Sequence, residues 1–434
     1  MMASQGHNVE VICYEPDKHE IEDCKVSKLI NEHQNLHINR ISWNMDSIYE
    51  NSYYYFLSFL SGKNKRKTIE ETLSSHLNIF IQNEENYQGR SLKANIANII
   101  ISMLYKLKNK YMASVARDTV ADINNRGFNP DIIIASYEPL VSLIVGRECQ
   151  NVWKNAKLVY DFRDVMTNQY FGKHVGAFED WIYKRLIKEE RAVLDECDAV
   201  TVVSHGQKRM ILERQSDISD SKIHVIYNGF DEAEIIDSSI TKQKIDQIMI
   251  VFTGTLQKKR GIGFAYLLQA IREMLDAHMI RSSQIKIKYA GHNAEDLRTL
   301  AEEIGVTEIM EIYDHIPREK AMEMQQSADF LLNLVWNEEF DQGILGGKFG
   351  EYMANRKPIL GIVSGNLRGS DLYEEIYNRN IGECFEIAAG EAEKDRLKNF
   401  IVQYLGGHRS YSYMPGVVDD FNYENIANEF INLH

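Results

Sequence analysis

The stretch "IVFTGTLQKKRGIGFAYLLQAI", residues 250–271, decides the reading of this chain. An apolar run ends in Gly254, and the cations Lys258, Lys259 and Arg260 follow. Gly261 and Gly263 come next, and then an apolar pattern with helical spacing. A strand therefore hands over to a helix through a loop that is both glycine-rich and cationic. Gly254 lets the backbone approach a ligand closely at the strand's carboxyl end. The free N–H groups of the helix start favour negative charge. The loop matches neither the Walker pattern nor G-x-G-x-x-G. Taken alone, it reads either as an anion-binding loop or as a solvated basic loop.

Working outward, the same handover recurs along the chain. From about Phe128 the apolar runs are "DIIIASY", "KLVYDF", "AVTVVS" and "IHVIYNG". Helical patterns separate them, over Glu138–Trp153, Gly176–Cys197 and His205–Gln215. After a polar stretch at Asp231–Lys244 come "QIMIVFTG", "IKIKYAG", "EIMEIY", "DFLLNLV", "PILGIV" and "ECFEI". Short apolar runs alternating with helices mean parallel sheets with right-handed crossovers. The expected fold class is therefore α/β, with two doubly wound, Rossmann-like domains. The expected boundaries are 1–235, 236–412 and a returning C-terminal segment, 413–434.

A second glycine-opened helix, "DQGILGGKFGEYMANRKPILGI" at 341–362, strengthens the anion reading. Gly346 and Gly347 precede Lys348 and Glu351, which lie three apart on one helix face. One carboxylate can accept both hydroxyl hydrogens of a ribose diol. The plain alternative is a surface Lys–Glu pair, worth little. In the first half, "LVYDFRDVMTNQYF" ends a strand with Asp161, Arg163 and Asp164. Strand ends of open sheets face the crevice where ligands bind. Arg163 and Asp164 are thus candidates to hold a substrate hydroxyl, or else they form a local salt bridge. Tyr137 and Glu138, in "ASYEP", end the preceding strand and are candidates for the acceptor side.

The chain has 434 residues, 44% of them hydrophobic, enough for two cores. Its net charge of −14 argues against nucleic acid as a partner. The five cysteines, at 13, 24, 149, 197 and 384, share no metal-ligand spacing and read as reduced cytosolic thiols. No Asp-x-Asp sits at a strand end to hold a divalent ion. Charge neutralisation by side chains and helix dipoles is expected instead, with no metal and no cofactor. Between Asp46 and Arg126, "YYYFLSFL", "GKNKRK" and a lysine-flanked apolar stripe from Leu92 to Leu107 form an amphipathic region. It packs on its own domain or rests on an anionic membrane. The start, "MMASQGHNVEV", reads as a helix end followed directly by the strand Val9–Tyr14. The first strand of a doubly wound domain is then absent, and the expected cause is a longer natural chain.

In order, "VIYNGFD", "FTGTL…KRG…LLQA", "IKYAGHN", "HIPREKAMEMQQSADFLLNL" and "GGKFGEYMANRKPIL" resemble the GT-B-fold glycosyltransferases of family 4, of the bacterial polysaccharide type. The resemblance covers the second half and the first from Pro130 onward. It implies two domains facing a cleft and a last helix that crosses back to the first domain. It also implies a nucleoside-diphosphate-sugar donor held mainly by the second domain, through Asn228, Gly254, Thr255, Lys259, Arg260, His292, Gly346, Gly347, Lys348 and Glu351. The family pattern at the opening loop is Gly-Arg-Leu and then Lys-Gly. Here Thr255 stands in place of the Arg, and Arg260 takes the position of the Lys. The family also carries a Glu, seven residues, then a Glu. Glu351 fits the second, and Gly343 falls where the first should be. Glu338, Glu339 and Asp341 are the substitutes in reach along the chain.

The implied reaction is metal-independent transfer with retention at the anomeric carbon, onto a glycan or lipid-linked acceptor, at the cytoplasmic side or peripherally at the membrane. A nucleotide-sugar 2-epimerase and an inactive nucleotide-sugar binder are the competing readings.

Overall fold

The computed structural model describes residues 1–14, 32–41, 113–137, 140–166, 177–231, 247–256, 258–339, 341–408 and 416–433, with the single residues 30, 110, 111 and 411. The amphipathic region before 110 and the stretch at 232–246 lie outside the described residues, as does Glu138. Two compact units form. One holds Met1–Thr201 with Leu433–His434, the other Val202–Asn432.

In the first unit, β1 (Val9–Tyr14) pairs in parallel with β2 (Leu36–Ile41), in register from Val9↔Leu36 to Tyr14↔Ile41. A helical segment over 113–125 backs this pair, and its Ala116 is buried with Ile41 and Val141. A separate four-stranded sheet runs in the order β3 (Ile132–Tyr137), β4 (Lys157–Phe162), β5 (Ala199–Val202), β6 (Ile223–Val225), and by chain position β6 falls in Val202–Asn432. β3 and β4 are parallel. Helix α1 (Leu140–Val152) packs on β3 and β4, and its Gly146 sits where a Cβ would lie 2.7 Å from the Ala135 Cβ. Among the described residues β1 and β3 do not pair with each other.

The second unit contains a six-stranded parallel sheet. Its strands are β7 (Ile248–Thr253), β8 (Ile285–Ala290), β9 (Met310–Tyr313), β10 (Phe330–Asn337), β11 (Ile359–Gly365) and β12 (Gly382–Glu386). Their order is β12-β11-β10-β7-β8-β9, the doubly wound arrangement expected from the alternation. Period-2 burial explains the two-sided core. Ile248, Ile250 and Phe252 of β7, and Phe330, Leu332 and Leu334 of β10, face one cluster. Val251, Leu331 and Val335 face the other. Helix α4 (Lys258–Asp276) covers the first face with Phe264, Leu267, Leu268, Ile271 and Met274, all fully buried at helical spacing. Gly263 allows it to approach, since a Cβ there would lie 3.3 Å from Leu334 Cδ2 and 3.4 Å from Ile362 Cγ2.

The strand order reverses between β7 and β10. These two pair only at Phe330↔Ile250 and Leu331↔Val251. Their carboxyl ends make no further register pairs, so the sheet opens at the position where ligands bind in open α/β sheets.

Near the end of the chain, the helix Tyr423–Ile431 buries Ile426, Ala427 and Phe430. The Tyr423 N–H donates to the Phe230 carbonyl at 3.0 Å, and Ile426 packs at Gly229. The tail therefore docks on the segment that follows β6.

Candidate functional site: the open end of the six-stranded sheet

Gly254 follows β7 at φ +145, a left-handed conformation that suits glycine. Its N–H donates to the Ala290 carbonyl at 2.8 Å. Gly291 after β8 must also be glycine, because a Cβ there would sit 1.9 Å from the Gly254 carbonyl oxygen. The two strand ends thus press together backbone to backbone. His292 follows, exposed, with its ring stacked on His315 at 5.1 Å and 13°. Its carbonyl accepts from the Leu256 N–H at 3.3 Å and from the Tyr289 hydroxyl.

Arg260 lies in the first turn of α4. Its Nη1 donates to the Thr255 carbonyl at 3.1 Å. No carboxylate lies within ion-pair reach of it among the described residues. Burial holds its guanidinium below the usual value. A half-buried cation balanced only by a backbone carbonyl favours an incoming anion.

Lys259, its neighbour, is arranged differently. Its Nζ is 2.8 Å from Glu338 Oε2 and 3.1 Å from Asp341 Oδ2. It stands 5.2 Å from the centre of the Trp336 ring. Trp336 Nε1 donates to the same Asp341 oxygen. These pairs hold the Lys259 ammonium above its ordinary value against the opposing effect of burial, while burial pushes the Asp341 carboxyl up. The side chain of Lys258 lies outside the described set.

The second glycine-opened helix comes to the same place. Gly346 (φ +78) turns the chain, Asn333 Nδ2 anchors the loop through the Leu345 carbonyl at 3.0 Å, and α7 (Lys348–Asn355) begins after Gly347. A Cβ on Gly254 would lie 3.7 Å from Lys348 Cε. Lys348 Nζ is 3.2 and 3.1 Å from the two Glu351 oxygens, and Arg318 Nη1 is 3.6 Å from Oε2. Gln325 Nε2 donates to Glu351 Oε1 and, at 2.7 Å, to the Thr253 hydroxyl. Asn355 Nδ2 donates to Gln325 Oε1 at 2.7 Å. This network ties Glu351 to the last residue of β7. The carbonyls of Asn228 and Gly229 lie 2.9 and 3.1 Å from where a Gly350 Cβ would be, so the Asn228 segment flanks the same helix.

Gly254, Thr255, Lys259, Arg260, Gly346, Gly347, Lys348 and Glu351 therefore gather around one opening, with Asn228 and His292 on segments packed against it. Sequence reasoning missed Gln325, Asn355 and Arg318. They sit 26 residues or more from the groups they orient, apart from Asn355 and its own helix, and no local pattern marks them. The lack of a side chain at Gly343 has a structural cause. Its φ is +75, and a Cβ would lie 2.4 Å from Ser204 Oγ and 2.5 Å from the Gln207 nitrogen. Asp371 braces the same contact, accepting from the Gly206 N–H at 2.7 Å.

In the first unit, the buried Asp161 carboxylate accepts from Ser136 Oγ at 2.8 Å, Thr201 Oγ1 at 2.7 Å and Arg163 Nε at 2.8 Å. Arg163 thus makes a local salt bridge at the end of β4. Asp164 is exposed, yet desolvation by neighbouring protein raises its carboxyl above the ordinary range. Tyr137 is buried, edge-on to Phe162 at 5.7 Å.

The parallel sheet with a glycine-lined opening at its reversal point puts the chain among proteins of the GT-B fold, and solved structures bear this out. The chain is similar to the lipopolysaccharide outer core galactosyltransferase WaaB, at 15% identity and TM-score 0.52, over 98% of this chain and 99% of that one. It is similar to the N-terminal domain of a trehalose-6-phosphate phosphatase from Candida albicans, at 12% identity and TM-score 0.55, over 98% and 95%. A protein from Listeria monocytogenes assigned as a UDP-N-acetylglucosamine 2-epimerase matches at 11% and 0.50, over 98% and 95%. At these identities the likeness concerns the fold. No curated protein matches the chain. Residues 88–234, about a third of the chain, match the family model described as Glycosyltransferase Family 4.

Proposed function

We propose that the chain transfers a sugar from a nucleoside-diphosphate-sugar to a glycan acceptor, with retention at the anomeric carbon and without a metal ion. The observation that carries this reading is Arg260, a desolvated cation with no carboxylate partner among the described residues, beside Gly254 and within the first turn of α4. A diphosphate placed there meets the guanidinium, the backbone at Gly254 and Lys348. Glu351, held by Gln325 and Lys348, presents a carboxylate suited to a ribose diol. As the sugar–phosphate bond breaks, negative charge grows on the departing diphosphate, and preorganised cations stabilise it without reorganising. The departing phosphate then helps to accept the acceptor's proton, so the protein supplies positioning more than covalent chemistry. Asp164, exposed beside the Arg163–Asp161 pair at the end of β4, is proposed for the acceptor hydroxyl, with Tyr137 and Glu138 as further candidates for the acceptor.

The acceptor is proposed to be lipid-linked, in surface polysaccharide assembly on the cytoplasmic side of a membrane. The lysine-flanked stretch between Asp46 and Arg126 supports a peripheral contact. No described helix is long and apolar enough to cross a membrane. The test incubates the purified protein with labelled UDP-, GDP- and ADP-sugars, a lipid-linked glycan and a chelator. Transfer in the chelator is the expected result. An epimerised nucleotide sugar, binding without turnover, or an absolute need for magnesium or manganese would each overturn part of the proposal.

A further inference from the structure

We propose that Glu338, set by Lys259 and backed by Asp341 and Trp336, receives the hydroxyls of the donor's sugar. The inference rests on the nucleotide-sugar reading of this opening and assigns its sugar end. Three observations lead to it.

The first is position. Glu338 lies one residue past the end of β10, and Lys259 lies in the first turn of the helix after β7. Those are the two strands that stop pairing and open the sheet. The Ser364 hydroxyl donates to the Lys259 carbonyl at 3.2 Å and fixes that turn against β11.

The second is charge. One ammonium faces two carboxylates, so the cluster carries an excess of one negative charge. It repels a phosphate and suits hydroxyl donors. Arg260, the next residue, has no such counter-charge among the described residues, so adjacent residues divide the opening into a phosphate end and a hydroxyl end.

The third is the division between the two carboxylates. Asp341 is 6% exposed and accepts from Trp336 and Lys259, so it is buried and occupied. Glu338 is 36% exposed and accepts from Lys259 through Oε2 alone, leaving Oε1 open to solvent and ligand. Gly343, where a carboxylate was expected, has no room for any side chain. Among the described residues, Glu338 and Asp341 are the carboxylates paired with Lys259.

The test is titration calorimetry with UDP, GDP and ADP, and with their glucose, galactose, mannose and N-acetylglucosamine conjugates. Wild type is compared with Glu338→Gln and Lys259→Met, and thermal melting checks that both variants fold. For the nucleotide that binds, both variants should hold the bare diphosphate within about twofold of wild type and lose about tenfold or more toward the sugar conjugate. If both variants bind the conjugate as wild type does, the sugar assignment fails while the nucleotide reading stands. If Lys259→Met weakens the bare diphosphate as much as the conjugate, Lys259 is a phosphate cation and the division of the opening is wrong. If wild type binds none of the diphosphates or conjugates, the nucleotide-sugar reading fails and this inference falls with it.

Discussion

The ends of β4 and β7 both present an arginine, and they do opposite things with it. At β4, Arg163 donates to Asp161, a carboxylate that is 3% exposed and already accepts from Ser136 and Thr201. The group is closed on itself. At β7, Arg260 finds a backbone carbonyl and, among the described residues, no carboxylate. The first arrangement spends its polarity on holding strands β3, β4 and β5 together, and the second leaves a charge to be answered from outside. A cation at a strand end is therefore not a ligand site by itself; the groups around it decide.

The largest effect should come from the closed end. Asp161→Ala removes the acceptor shared by Arg163 and two hydroxyls, and should cost about 3–5 kcal/mol in urea unfolding, the range for removing one partner of a buried pair. A loss below 1 kcal/mol would show that the cluster is not structural. At the open end the sign differs between stability and binding. Arg260→Ala removes a desolvated charge, so melting should not fall. Binding of the preferred nucleoside diphosphate should weaken by about 1.5–3 kcal/mol, as expected for a hydrogen bond to a charged group. A drop in melting without a drop in binding would reverse the comparison.

Glu351→Ala should weaken nucleotide binding by about 1–3 kcal/mol, the cost of leaving buried hydroxyl partners unmade. It should also lower melting, because Lys348 and Gln325 lose their shared acceptor. Unchanged affinity would remove Glu351 from the ribose.

The smallest effect concerns Asp164, whose carboxyl is raised by desolvation. A raised acid favours the folded state when protonated. Its contribution is present below the ordinary aspartate value and is withdrawn as pH rises through the folded value. Wild type should thus gain slightly on Asp164→Asn as pH falls from 6 toward 3. A widening deficit on acidification would mean that a cation dominates this carboxyl.

The strands were legible because burial leaves a period in the sequence. "IVFTG", "IKIKYAG" and "DFLLNLV" each read as buried parallel strands, and each is one. Gly254 and Gly346 were legible too, since left-handed or crowded backbone selects glycine locally. In the first unit β1 and β3 lie in separate sheets among the described residues, which no local pattern in the sequence carries.

By itself, then, the sequence determined which segments become strands, where the chain must turn on glycine, and which residue types gather near the loop at 250–271. Only the tertiary structure decided how their charges pair. Lys259 and Arg260 are neighbours of the same sign, and nothing in their spacing separates them. One meets carboxylates 79 and 82 residues away, while the other meets a carbonyl five residues away. Burial period and glycine conformation are local properties, and a chain writes them in order. Electrostatic balance is a sum over everything within a few ångströms, and folding alone selects those neighbours.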